Sequence, residues 1–236
     1  AVINKATARR IAAVLPMHTF GHPCRIEAIA SLCSEYGIAL VEDAAESLGS
    51  TSNGRHTGTF GMLGVFSFNG NKIITTGGGG AIVTDDDALA ARAKHLTTTA
   101  KVPHNWEFVH DEIGYNFRMP NINAAIGVAQ LEKMDELLQG QRSLAEQYKN
   151  FFKGKSVRFK EEPANTRSNC WMNVLEFPDV ESRNDFLNFS NARGMMTRAL
   201  WRPMHRLTMY QHCQAEDLAV TDSLYNRCVN ISSTVR

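Results

Sequence analysis

The sequence has no long apolar run and almost no net charge. Apolar residues make up 43% of the chain, but they never form the run of about 18 that a membrane-spanning helix requires. The formal net charge is +1 at pH 7, and no basic stripe of the kind that binds nucleic acid is present. We therefore expect neither a membrane nor a nucleic-acid partner.

Motifs for metals, disulfides and secretion are also missing. The five cysteines are scattered and form no CxxC pair, which argues against a zinc site and a disulfide framework. The eight histidines share no helical spacing, so we predict no metal site. The start of the chain, Ala1 to Lys5, lacks the charged-then-apolar order of a signal peptide. These features predict a cytoplasmic protein with reduced cysteines.

The first half of the chain alternates strands and helices. A short strand at Val14 precedes a helix whose apolar face recurs every three to four residues, and Gly37 ends that helix. The apolar run 38–41 is typical of a buried strand and leads into Glu42 and Asp43. A further strand is predicted at 64–68, and the glycines 77–80 form a turn into another at 81–84. This order predicts an α/β fold with a mixed, mostly parallel sheet.

The second half changes character. One long helix is predicted from Asn121 to about Phe152, with Gly140 as a break or kink. Beyond it, strand candidates at 171–177 and 197–201 flank a short helix that ends at Gly194, which is an α+β pattern. We therefore predict a large domain over residues 1–150 and a smaller, incomplete α+β domain over 151–236.

Two charged residues follow predicted strands. Asp43 ends a buried strand, where open α/β sheets bind ligands, and a protonated pyridine nitrogen is one partner for its carboxylate; the alternative is a cap of a following helix. Lys72 follows the next strand and precedes the glycine cluster. A Schiff-base lysine needs that access and freedom to move, but a lysine in a loop is usually a solvated charge, and position alone favours that alternative.

Ser67 and Asn69 precede Lys72 and fall on one face of the predicted strand. A hydroxyl and an amide there can hold a phosphate. The alternative is the ordinary polar face of an alternating strand. No Gly-Lys-Ser/Thr follows the glycine run, so a P-loop is not predicted.

Three blocks resemble the DegT/DnrJ/StrS family of sugar aminotransferases. They are VEDAAESLGS at 41–50, the lysine block FSFNGNK at 66–72 with TTGGGG at 75–80, and GYNFRMPNINAA at 114–125. The resemblance covers most of the chain and weakens after about residue 155. It implies an aspartate-aminotransferase-like architecture, pyridoxal phosphate (PLP) fold type I, and a homodimer with shared active sites. The lysine segment is most similar to the bacillosamine- and legionaminic-acid-type 4-aminotransferases.

The resemblance also implies roles for individual residues. Lys72 resembles the catalytic lysine that carries the cofactor, and Asp43 resembles the acid that pairs with its pyridine nitrogen. The remaining three cofactor contacts are Glu46, at a position often occupied by Gln beside the phenolic oxygen, Ser67 at the phosphate, and Asn116, which reaches the phosphate of the partner subunit's cofactor. Asn69 is a further candidate cofactor contact.

The implied reaction is amino transfer from L-glutamate to a keto group of a nucleotide-linked sugar, C4 of a UDP-4-keto-6-deoxy-N-acetylhexosamine, for surface-glycan biosynthesis. Family members that act as dehydratases carry histidine in place of the lysine, so Lys72 favours transamination. The alternatives are a PLP-dependent dehydratase or epimerase, a silent cofactor- or sugar-binding sensor, and an α/β domain that acts through its interface. The N-terminal part of the family fold, with a phosphate loop and an aromatic residue stacked on the ring, is expected to be absent.

Overall fold

A computed structural model describes residues 2–233. Its helices are α1 (Ile26–Tyr36), α2 (Asp87–Thr97), α3 (Asn121–Leu131), α4 (Met134–Phe152), α5 (Val180–Ala192) and α6 (Ala219–Arg227). Its strands are β1 (Ala13–Val14), β2 (Ala39–Asp43), β3 (Thr51–Ser52), β4 (Arg55–His56), β5 (Leu63–Ser67), β6 (Gly80–Val83), β7 (Lys101–Val102), β8 (Val109–His110), β9 (Arg158–Phe159), β10 (Thr166–Arg167), β11 (Asn173–Glu176), β12 (Arg198–Ala199) and β13 (Cys228–Ile231).

The chain forms two compact units. The first runs to Gln139 and includes Glu162–Trp171, and the second contains Gly140–Glu161 and the residues from Met172 onward. The predicted domains differ from this division, because residues 140–150 fall in the second unit and 162–171 in the first. The assignment of 1–150 to cofactor binding stays a prediction.

The central sheet of the first unit has the order β1-β2-β5-β6. β1, β2 and β5 are parallel, and β6 is antiparallel to β5, which confirms the predicted mixed, mostly parallel sheet. Helix α1 packs on this sheet through Ile26 and Cys33, which are buried against Leu40. Gly37 ends α1 in the left-handed region, at φ 62°, where glycine carries no steric penalty.

Two predictions about local structure were wrong. The long helix is interrupted at residues 132–133 and not at Gly140, which lies inside α4. The Lys133 N–H bonds the carbonyl of Gln130, three residues back, and this tighter bond ends the α-helical ladder. Asn69 is not on a strand, because β5 ends at Ser67 and the Lys72 N–H closes a turn onto the Asn69 carbonyl, 3.0 Å away.

The second unit is built on an antiparallel sheet of order β12-β13-β11-β9. Its core consists of four buried residues, Leu175, Phe177, Val229 and Ile231, with six partly buried apolar side chains packed against them. The strand predicted at 171–177 is shorter than expected, since β11 begins at Asn173. The α+β character predicted for this part of the chain is confirmed.

No helix within residues 2–233 combines the length and apolarity needed to cross a membrane. None of the five cysteines forms a disulfide. The cytoplasmic location expected from the sequence stays a prediction.

Candidate active site

Asp43 lies at the carboxyl end of β2, next to the parallel strand β5. Its Oδ1 accepts a hydrogen bond from the Ala45 N–H at 3.1 Å. The segment that follows consists of turns and not of a helix, so Asp43 is not a helix cap. The carboxylate sits, half-buried, at the sheet edge where open α/β sheets bind ligands.

Glu46 and Lys72 face each other beside Asp43. The Lys72 Nζ lies 4.0 Å from Glu46 Oε1, and the side chains are only 13% and 10% exposed. Lys72 is therefore not a solvated loop charge. Burial raises the pKa of Glu46, the nearby Asp43 adds to that rise, and the Phe20 N–H and Lys72 oppose it. The Phe20 N–H donates to Glu46 Oε2 at 2.7 Å and fixes the carboxyl group.

Ser67 ends β5, so its hydroxyl and the Asp43 carboxylate stand at the same edge of the sheet. The Asn69 N–H donates to Ser67 Oγ at 3.3 Å, and the exposed Asn69 amide donates to Asn71 Oδ1. These groups fit the predicted cofactor chemically. An amine can bond the aldehyde of PLP, a carboxylate can pair with its ring nitrogen, and hydroxyl and N–H groups can bind its phosphate.

Asn116 lies in the segment between α2 and α3. It forms an isolated antiparallel bridge with Thr98, just after α2, and it is exposed. Its neighbours Tyr115 and Phe117 are also exposed, and their rings stack with centroids 5.1 Å apart. The role expected for Asn116 at a partner's cofactor stays a prediction.

The site contains two residues that the sequence analysis missed, Trp171 and Asn169. Trp171 had been predicted to begin a strand, but its ring lies under Lys72, with the Nζ 4.2 Å from the ring centroid. The Asn169 side chain donates to the Glu46 carbonyl at 2.9 Å. Both come from Glu162–Trp171, about 100 residues after Lys72, so no local signal in the sequence could have identified them.

A buried hydrogen bond between His18 and Glu42 lies next to the site. His18 and Glu42 are fully buried, and His18 Nε2 lies 3.0 Å from Glu42 Oε2. The Cys24 N–H donates to His18 Nδ1 at 3.2 Å, so Nε2 carries the hydrogen that is donated to Glu42. Glu42 directly precedes Asp43, and its other partners are the N–H groups of Gly58, Phe60 and Gly61, at 2.5–2.8 Å.

Among residues 2–233, one group of side chains has the composition of a metal site. The ligand atoms of His95, Asp111 and Glu112 all lie within 4.8 Å of one another. Arg92 pairs with Glu112 and neutralises part of this charge. The expectation of no metal stays a prediction.

Comparisons with known proteins identify the family. The profile of the DegT/DnrJ/EryC1/StrS aminotransferase family matches residues 1–236. EpsN of Bacillus subtilis (strain 168), provisionally named a pyridoxal phosphate-dependent aminotransferase, is 37% identical over 226 residues, 94% of this chain and 58% of that protein. The GDP-perosamine synthase of Vibrio cholerae is 35% identical over 235 residues, 98% of this chain and 62% of that protein.

The crystal structure of the aminotransferase TlmJ from Streptoalloteichus hindustanus superposes with a TM-score of 0.87 at 30% identity, and the match covers 93% of this chain and 60% of that one. This likeness confirms the predicted fold type I architecture. The chain spans about 60% of the length of these relatives. The family profile matches this chain over residues 1–236. The chain therefore belongs to the DegT/DnrJ/EryC1/StrS aminotransferase family, whose cofactor is pyridoxal phosphate.

Proposed function

We propose that the protein transfers an amino group from L-glutamate to a keto group of a nucleotide-linked sugar, with Lys72 as the residue that carries the cofactor. The observation that carries this proposal is the burial of the Lys72 amine at the sheet edge, 4.0 Å from Glu46 and over the ring of Trp171. PLP, when bound, withdraws electrons from the amino acid and holds the amino group between the two half-reactions.

Each side chain of the candidate site has surroundings that suit one role in this reaction. The Asp43 carboxylate holds a proton on the pyridine nitrogen, and Ser67 and Asn69 bind the phosphate. The Lys72 Nζ moves the proton that leaves the amino-acid carbon. By the resemblance, Glu46 lies beside the phenolic oxygen, where many family members carry glutamine. Burial raises the pKa of Glu46, so its ionised form is less favoured there than in water.

For the substrate, we propose C4 of a UDP-linked 4-keto-6-deoxy-N-acetylhexosamine, because of the resemblance of the lysine segment to bacillosamine- and legionaminic-acid-type enzymes. A GDP-linked keto sugar is the second candidate, since a relative at 35% identity is a GDP-perosamine synthase. The choice between the two is open to a direct screen.

We propose further that two copies form a homodimer with shared sites. The support is a run of large exposed apolar side chains around Asn116, namely Trp106, Phe108, Ile113, Tyr115, Phe117 and Ile122. A contiguous apolar patch marks an interaction site, and the closeness of these six residues in the sequence favours such a patch. A neutral Asn116 amide at that surface can donate to a phosphate in the second subunit without adding charge.

The reaction is tested by incubating the PLP-loaded protein with glutamate and UDP- or GDP-linked 4-keto sugars, and measuring 2-oxoglutarate and the amino sugar. Lys72→Ala should abolish both products and the visible absorption of the lysine-bound cofactor, whereas Lys94→Ala, an exposed lysine on α2, should change neither. Sugar dehydration or epimerisation without 2-oxoglutarate would identify the rival enzymes. Cofactor binding without turnover would identify a sensor.

The shared site is tested by mixing subunits. Lys72→Ala and Asn116→Asp subunits should form mixed dimers in which one site carries both lesions and the other carries neither. Activity should then exceed that of either mutant alone. An active monomer in sedimentation, or no recovery in mixed dimers, would refute the shared site.

A further inference from the structure

The segment that ends at Trp171 is tied to both sides of the candidate site. The Asn169 side chain donates to the carbonyls of Glu46 and Leu48, at 2.9 and 3.0 Å. Its Oδ1 accepts the Trp171 N–H at 2.9 Å. Asn169 is fully buried, so this one amide links the backbone of the Glu46 loop to Trp171.

Trp171 continues the link to the lysine loop. Its indole Nε1–H donates to the carbonyl of Asn71 at 2.5 Å, so it holds the residue that precedes Lys72. The face of the same ring lies 4.2 Å from the Lys72 Nζ. Trp171 is 5% exposed, and a desolvated aromatic face attracts an ammonium group more strongly than a hydrated one does.

We propose that Trp171 is a positioning residue that holds the free amine of Lys72 beside Glu46 whenever that amine is not bonded to the cofactor. The inference rests on the proposed role of Lys72. A lysine side chain has four rotatable bonds and many rotamers in a loop. Trp171 restricts them from two directions, because its N–H fixes the backbone before Lys72 and its ring face binds the terminal ammonium.

Tryptophan suits this place better than another apolar residue. Phenylalanine offers a ring face but no N–H, and leucine offers neither. Trp171→Phe therefore removes the hydrogen bond alone, and Trp171→Leu removes both the hydrogen bond and the ring contact. Trp201, which is 58% exposed, provides a matched control for loss of an indole elsewhere.

The first test reads the geometry without any turnover. Full-length protein without cofactor is reductively methylated with ¹³C-formaldehyde, and the Lys72 resonance is assigned by its loss in Lys72→Ala. Because the amine lies over the indole face, the ring current should move this resonance upfield of the other lysines. It should stay upfield in Trp171→Phe, join the other lysines in Trp171→Leu, and not move in Trp201→Leu. A Lys72 resonance among the other lysines in the unsubstituted protein would overturn the inference.

The second test separates positioning from sugar binding. Misplacing the amine by about 1 Å should lower kcat by roughly 10–100-fold, while KM for the sugar nucleotide stays within about twofold. Trp171→Phe should lose less than Trp171→Leu. If the ring-current shift is present but no variant changes kcat, Trp171 has no positioning role. If the shift behaves as expected and the unsubstituted protein transfers no amino group, only the proposed function fails.

Discussion

Replacement of Glu42 by glutamine tests whether the buried Glu42 carboxylate holds the loop that follows β4. Glu42 Oε2 accepts from His18 Nε2 and the Gly58 N–H, at 3.0 and 2.8 Å. Oε1 accepts from the N–H groups of Phe60 and Gly61, at 2.5 and 2.8 Å. Four donors thus converge on one fully buried carboxylate.

Glutamine keeps one acceptor oxygen and replaces the other with an NH₂ group, which must then face two donors. Two hydrogen bonds to a charged acceptor are lost, each of about 1.5–3 kcal/mol. Glu42→Gln should therefore lower the free energy of unfolding of the first unit by about 3–6 kcal/mol, a large share of the roughly 5–15 kcal/mol of a typical domain.

The pH dependence of this difference has a definite sign. Burial alone would raise the pKa of Glu42, but the hydrogen bonds from His18 and from the backbone of residues 58–61 outweigh it and hold the pKa below its usual 4.5. A depressed carboxyl pKa stabilises the fold above the unfolded pKa, and that stabilisation is lost as pH falls through the folded pKa. The difference in unfolding free energy between the unsubstituted protein and Glu42→Gln should be largest at pH 7 and should decrease below about pH 4.5.

The assay is urea unfolding combined with hydrogen exchange of the amides of residues 58–61, which should exchange faster in Glu42→Gln. Glu35→Gln, at an exposed position on α1, is the matched control and should change the stability by less than about 0.5 kcal/mol. A Glu42→Gln protein within about 1 kcal/mol of the original, with unchanged exchange at 58–61, would refute this reasoning.

Three further predictions concern the sheet edge and its support. Asp43→Asn should slow the half-reaction with glutamate by roughly 100-fold or more in stopped-flow absorbance, because the ring nitrogen loses its anionic partner. Glu46→Gln should raise the melting temperature at neutral pH. Because the pKa of Glu46 is raised in the folded protein, ionisation of Glu46 destabilises the fold as pH rises above 4.5. Glutamine does not ionise, so the higher melting temperature of Glu46→Gln should disappear in acid. Gly64→Ala should destabilise the fold in urea by about 1–3 kcal/mol or more, because a Cβ there would lie 1.9 Å from the Gly58 carbonyl oxygen.

Each of these predictions has an outcome that contradicts it. Stopped-flow traces of Asp43→Asn that match the original would leave Asp43 as a residue of the turn alone. A melting-temperature gain for Glu46→Gln that is equal at all pH values would argue against a raised pKa. Gly70→Ala is the control for Gly64→Ala, since its Cβ would meet no atom within 4 Å, and equal effects of the two would rule out the steric cause.

The elements that were predicted correctly depend on local chemistry. Gly37 ends α1 as the sequence predicts, because glycine tolerates the left-handed end of a helix wherever it occurs. The start of α2 is equally local, since Asp86 accepts from the Ala88 and Leu89 N–H groups. A local signal was also overlooked. Asn53 and Gly54 have φ values of 45° and 81° and connect β3 to β4, which is the hairpin turn that this dipeptide favours.

The helix interruption could not be predicted in the same way. Glycine costs a helix interior only about 1 kcal/mol, and Gly140 is accommodated within α4. The break comes instead after α3, which is held to the loop after β5: the Thr75 N–H donates to Gln130 Oε1 at 2.8 Å. A contact between residues 55 positions apart has no signature in either segment alone.

The candidate site also contains residues that the sequence predicts and residues that only the fold brings together. The segments around Asp43, Ser67 and Lys72 are short enough to be recognised in the sequence, because each chemical role requires one residue type at the end of one strand. The supports of those residues are buried contacts between distant parts of the chain: His18 with Glu42, 24 residues apart, and Trp171 with the Asn71 carbonyl, 100 apart. Such pairs exist only once the sheet has assembled, since burial makes an unsatisfied donor or carboxylate costly and so selects its partner from whatever the fold brings within reach.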